Sequence, residues 1–204
     1  MVQLNYTIMG VILDNLDKQA IIDYLKTNKT ENAEVLIEYL ESRTDIFSRK
    51  DDVGHVTCSA FILSDDLANV LLIHHAKYDM WLSPGGHGDD GETILQAASR
   101  EVDEETGVNG MAVLTPKIFD IDIHRIPYSA KKDEAEHWHF DVRYAFKAPA
   151  NVSIDLNEVE CKGYQWKPLK DLLTIDNVSL KRQAEKATSL ITELKPKPIK
   201  KFKM

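Results

Sequence analysis

Cysteine is scarce in this chain, with only Cys58 and Cys161 among 204 residues. A chain of that length can bury a sizeable core without covalent staples, so both thiols are expected to be reduced. No apolar run approaches the length that crosses a bilayer as a helix, which argues against a membrane-spanning role. Met1 to Gly10 carries no Lys or Arg ahead of its apolar residues. No small-residue cleavage site follows, so a secretory leader is not expected and a cytoplasmic setting is. Nine Gly and seven Pro are too few for a collagen-like or low-complexity chain.

Basic charge is also in short supply, with 25 Lys and Arg against 33 Asp and Glu and a net charge of -8. Five of those lysines fall between Lys195 and Met204, where two prolines block a helix and a solvated basic tail is expected. The rest of the chain is more acidic still. Such a body disfavours a nucleic-acid partner, because each neutralised phosphate needs a Lys or Arg. It suits a protein that collects cations.

What is present is 43% apolar residues, enough for one main core. Asp17 to Lys26 and Glu31 to Ser42 place apolar residues at helical spacing, and they read as a helical hairpin over residues 1–50. Its apolar stripes need a partner surface, either the main domain or a second copy in a homodimer. From His55 the period changes. Val56 to Leu63 and Val70 to Ile73 predict two strands around the turn composition Ser64-Asp65-Asp66. Ser83 to Gly91 reads as a loop, and Glu92 to Thr106 as a helix ended by Gly107. Strands are expected over Lys117–His124, His137–Phe146 and Gly163–Trp166, then a last helix over Ser179–Leu194.

The Glu92–Thr106 helix carries the strongest chemical signal. Projected at about 100° per residue, Glu101 and Glu105 fall among Ile94, Ala97, Ala98 and Val102, with Glu104 just outside that arc. An ordinary amphipathic helix places aliphatic residues there. Three converging carboxylates raise one another's pKa and destabilise the fold unless a positive group sits among them. A hard divalent cation such as Mg²⁺ meets that need. Arg100 can pair with Glu92 and steer the cluster, so both are read as structural.

The spacing of Gly86, Glu92, Arg100-Glu101-Val102, Glu104-Glu105 and Gly107-Val108 matches the Nudix box at every defined position, and the Pro84-Gly85-Gly86 lead-in resembles the same family. The resemblance implies an α+β fold, the Nudix α/β/α sandwich with a mixed sheet, over residues 53–194, with the helical extension before it and the basic tail 195–204 after it. It also implies hydrolysis of a diphosphate bond in a nucleoside diphosphate linked to another moiety, with Mg²⁺ or Mn²⁺ as cofactor. Glu101, Glu104 and Glu105 then resemble the metal ligands, with the main-chain carbonyl of Gly85 as a further one. A glutamate in a loop before a Trp-bearing strand often joins such a centre or serves as base; Glu160 is preferred here over Glu158. His87, beside the phosphate loop, is expected to meet the substrate, a small nucleotide-derived diphosphate.

Period-two alternation sets His137, His139, Asp141 and Arg143 on one face of a strand. Asp120, Asp122 and His124 share a face of the preceding one. If the two pair, this patch is a substrate pocket in which His139 or Arg143 meets phosphate, an accessory metal site, or a hydrated sheet face. Two other functions share the Nudix fold: a non-catalytic nucleotide-sensing module, and an isopentenyl diphosphate isomerase-like enzyme. Both usually degrade box positions that are intact here. At the place where other members carry a Pro or Tyr marking their substrate stands His124, so the substrate is left unassigned.

Overall fold

The structure is a computed structural model that describes residues 16–130 and 133–194; the basic tail expected over 195–204 lies outside them. A helix at 16–27 (α1) and α2 (Ala33–Ser42) precede an eight-stranded sheet: β1 (Gly54–Ser64), β2 (Asn69–His75), β3 (Met80–Leu82), β4 (Gly85–His87), β5 (Ala112–Val113), β6 (Asp120–Ile126), β7 (His137–Ala148) and β8 (Cys161–Pro168). Helix α3 (Ile94–Thr106) follows β4, and α4 (Leu169–Leu172) and α5 (Val178–Leu194) close the chain's described part. Among the described residues no helix is long and apolar enough to cross a membrane.

The long strand β1 organises the sheet. Along one edge it pairs in parallel with β7, from Gly54↔Trp138 to Ser64↔Ala148. Its other edge is shared, antiparallel to β4 over Thr57–Ser59 and to β2 at Ile62 and Leu63. The sheet therefore forks near Ala60. β6 pairs antiparallel with β7, from Asp120↔Arg143 to Ile126↔His137.

Alternation along β1 sends successive side chains to opposite layers. Val56, Cys58, Ala60 and Ile62 pack with Ile94, Ala97, Ala98 and Val102 of α3. Phe61 and Leu63 pack with Leu180, Ala184 and Ala187 of α5. The result is the expected mixed sheet between helical layers. The loop expected over Ser83–Gly91 differs, because Gly85 and Gly86 let β4 lie against Cys58 and Ser59, where a side chain at Gly85 would meet backbone. Strand propensity gives no hint of a segment so rich in glycine.

The helical extension packs on the main domain, one of the two partner surfaces its stripes allowed. Ile21, Leu36, Tyr39, Leu40, Ile46 and Phe47 are at most 5% exposed and belong to the same cluster as Val56, Val102 and Phe140. The Tyr39 and Phe140 rings lie 4.8 Å apart, and Asp17 accepts the Ile94 N–H at 2.8 Å. These helices complete the α3 layer rather than form a separate unit. Buried residues of both apolar stripes find their partner surface within this chain.

Candidate active site

Helix α3 starts at a capping box. The Gln96 N–H donates to Thr93 Oγ1 at 3.2 Å and the Thr93 N–H to Gln96 Oε1 at 2.8 Å, and Gly107 closes the helix in the left-handed region at φ 62°. Small Ala97 and Ala98 bring the helix close onto the sheet. That approach sets Glu101 and Glu105 against β4 at the fork. The Gly85 N–H donates to Glu105 Oε2 at 2.8 Å, and a Cβ at Gly86 would collide with the Glu101 carboxylate. Any side chain there would have to push the Glu101 carboxylate aside.

Arg100 ties the helix to the loop before it. Its guanidinium donates to both Glu92 oxygens at 2.9 and 3.0 Å, to the His87 carbonyl at 2.7 Å, to Glu101 at 3.0 Å and to Glu104 at 3.1 Å. The pairing of Glu92 with Arg100 is as the helical spacing suggested. Glu105 is 2% exposed, and burial, with the negative charges of Glu101, Glu160 and Glu104, pushes its carboxyl up to about 8 despite the Gly85 hydrogen bond. Burial also raises Glu101, against the pull of Arg100. Glu104 is half-exposed. Glu160, at the end of the loop before β8, is exposed, its carbonyl accepts from the Ala76 N–H at 2.7 Å, and its charge acts on both Glu101 and Glu105. Cys161 is buried beside Glu105, with its sulfur 4.0 Å from Oε1.

Four of the predicted residues, Glu101, Glu104, Glu105 and Gly85, are thus brought together at one end of α3, and Glu160 is close enough to couple to them. Arg143 is elsewhere. It is 7% exposed and donates to Asp141 at 2.7 Å, Asp120 at 2.9 Å, Asp122 at 3.3 Å and Ser179 at 2.8 Å. Arg182 and Lys186 of α5 add cations to the same aspartates, so three carboxylates face three cations. A phosphate would have to displace this set.

For Asp120 and Asp122 burial opposes ionisation, but these cations and their hydrogen bonds outweigh it and hold both below the usual carboxylate range. Their contribution to stability is therefore full above the unfolded value, near 4, and is lost as pH falls through the folded values. Arg143→Met leaves buried carboxylates underpaired and should cost about 3 kcal/mol at pH 7. That cost should shrink below pH 4 as the aspartates take up protons. Urea midpoints of both proteins from pH 7 to pH 3 check it.

His87 and His139 belong to a third group. The register places His55 beside His139 and Thr57 beside both Asp141 and His87. The His55 ring lies 5.1 Å from His87, 5.1 Å from His137 and 4.7 Å from His139. His55 and His137 are buried, at 2% and 7% exposure, so a hydrated face does not describe them. His55 was missed by the sequence reading. The signal that could have found it is the alternation His55, Thr57, Ser59 at the start of an otherwise apolar strand.

Comparison with known proteins places this geometry. A family model described as NUDIX domain matches residues 54–188. A Lactococcus lactis subsp. cremoris protein named "Probable DHNTP pyrophosphohydrolase" is 30% identical over 118 residues, covering 56% of this chain and 69% of that one. A Rhizobium meliloti protein named "RNA pyrophosphohydrolase" is 30% identical over 120 residues, covering 50% and 69%. Among solved structures, a NUDIX-family hydrolase from Clostridium perfringens aligns with TM-score 0.50 and 26% identity over 69% of this chain and 98% of that one. The E. coli dihydroneopterin triphosphate pyrophosphohydrolase, with TM-score 0.52 and 20% identity over 67% and 95%, shares the fold.

Proposed function

This chain belongs to the Nudix family and is a hydrolase of diphosphate bonds, and from that premise we propose that the α3 carboxylates, the Gly85 carbonyl and Glu160 form its divalent-metal centre. The observation that carries the reading is the convergence of Glu101 and Glu105 on the β4 glycines, with Glu104 held beside Glu101 by Arg100 and Glu105 buried and hard to ionise. Arg100 already divides its guanidinium among Glu92, Glu101 and Glu104. A hard divalent cation, Mg²⁺ or Mn²⁺, fits an all-oxygen donor set of this kind. Bound there, it would neutralise the diphosphate and lower the pKa of the attacking water.

The chain's own groups do the rest. Glycine at 86 leaves room for the Glu101 carboxylate, and the Gly85 N–H holds Glu105 in place while the Gly85 carbonyl remains available as a ligand. Glu160, on the loop, is the base that takes the water's proton on a carboxylate oxygen; its backbone is anchored by Ala76 and its side chain reaches solvent. His87, two residues beyond Gly85, stays on the substrate side. Arg143 does not, since its guanidinium is taken up by carboxylates.

Glu160→Gln should lower kcat by about a hundredfold with KM within about threefold, the mark of a group that acts in the transition state. Glu158→Gln should remain within about threefold of wild type. Reversed outcomes would move the role to Glu158.

The substrate is a small nucleotide-derived diphosphate or triphosphate, because the acidic body favours cations over a polynucleotide backbone. Phosphate and pyrophosphate release should be measured with Mg²⁺ for nucleoside triphosphates, dihydroneopterin triphosphate, nucleotide sugars, dinucleotides and 5′-triphosphorylated RNA. Turnover of a small molecule supports this reading. Turnover of the RNA alone would reassign the substrate, and no turnover of any would reject the catalytic centre.

A further inference from the structure

We propose that His55, His137 and His139 form a second metal site, distinct from the glutamate centre and suited to a borderline transition cation such as Zn²⁺. The three residues come from two strands, β1 and β7. By strand alternation they lie on the sheet face opposite α3, the face on which Phe61 and Leu63 meet α5. One ligand atom from each lies within 4.8 Å of the others. A tetrahedral zinc bound at about 2.0–2.1 Å needs nitrogens about 3.3 Å apart, so the rings have to close by at most ~1.5 Å.

Three observations favour a metal over simple packing. Both ring nitrogens of His55 and Nε2 of His137 are buried without a hydrogen-bond partner, a state that native structures rarely leave unexplained. His137 Nδ1 lies 2.8 Å from the Ala135 carbonyl. A proton on Nδ1 donated to that carbonyl leaves a lone pair on the unpartnered Nε2, and a hydrogen bond of this kind orients metal-bound histidines. Carboxylates stand in the next rungs: Asp122 Oδ2 is 3.4 Å from His124 Nδ1, and the His124 ring meets His139 edge-on at 5.7 Å.

The donor set also selects the cation. Imidazole donors suit Zn²⁺, Ni²⁺ and Cu²⁺, whereas Mg²⁺ takes oxygen donors. The two centres are therefore chemically sorted. Three ligands leave a fourth position for water or a substrate group, as in open zinc sites. The centres also share a strand, because β4 carries Gly85 at the glutamates and His87 against the His55 ring.

The test uses untagged full-length protein stripped with a chelator and held in millimolar Mg²⁺ to saturate the glutamate centre. Titration with Co²⁺, a coloured stand-in for Zn²⁺, should give one equivalent with visible d–d bands of low-coordinate cobalt, displaced by Zn²⁺. Glu105→Gln should keep both bands and stoichiometry. His139→Gln and His137→Gln should each weaken uptake by about tenfold or more, with folding checked by circular dichroism. Zinc X-ray absorption on the wild type should show imidazole back-scattering, a readout that needs no variant to fold. No uptake by wild type, uptake abolished by Glu105→Gln, or histidine variants with wild-type affinity would each overturn the proposal and leave the cluster as packed neutral imidazoles.

Discussion

Glu105→Gln should lower turnover by about a thousandfold or more while leaving the melting temperature unchanged or raised. The two halves of this result have one cause. Glu105 is 2% exposed and its carboxyl is pushed up to about 8 by burial and by the charges of Glu101 and Glu160. Without a cation the protein gains little from an ionised group at that place. A glutamine keeps the shape, and its amide oxygen can still accept the Gly85 N–H now bonded to Glu105 at 2.8 Å. What it would lose is the proposed anionic ligand to a divalent cation, an effect worth several kcal/mol in the transition state. Steady-state kinetics at saturating Mg²⁺ and a thermal melt check both halves. Activity within threefold of wild type would remove α3 as the metal site, and a large fall in melting temperature would show that Glu105 serves the fold.

Removal of residues 1–50 should abolish the cooperative fold. Ile21, Leu36, Tyr39, Leu40, Ile46 and Phe47 pack into the cluster that holds Val56, Val102 and Phe140. Their loss would bare the layer behind α3, leave the Ile94 N–H without Asp17, and remove the Ile46 carbonyl that accepts the Val56 N–H at 2.8 Å. A point version is milder. Tyr39→Ala, at a site 2% exposed against Phe140, should cost about 4 kcal/mol, which in a domain of this size lowers the melting temperature by ~10 °C. Circular dichroism melts and size-exclusion chromatography give the answer. A truncated chain that stays monodisperse with an unchanged melting temperature would show that the helices are a dispensable cap.

The candidate active centre was legible in the sequence because its parts are local. Glu101, Glu104 and Glu105 lie within little more than one turn of a single helix, and 3.6-residue periodicity alone puts them on a shared sector. Gly85 and Gly86 stand just before that helix, so the short strand they form lies near its residues. Glu160 was harder. Its nearness to Glu105 depends on where β8 enters the sheet, and sequence spacing to Trp166 could favour it over Glu158 but not place it.

By itself, then, the sequence determined the helix that carries the carboxylates, the glycines that receive them, and the alternating faces of β1, β6 and β7. Only the tertiary structure decided what those faces meet. The parallel pairing of β1 with β7 joins residues more than 80 positions apart, and it alone puts His55 beside His139. Packing of α5 against β6 and β7 brought Arg182 and Lys186 to Asp120, which engages Arg143 in a buried network. The stripes of α1 and α2 showed that they must be covered, while the choice of this chain's own sheet over a second copy rested on the surface available behind α3. A periodic pattern specifies which side of an element is apolar or charged. Which partner that side finds depends on long-range register and on the complementarity of distant surfaces, and neither is written in local spacing.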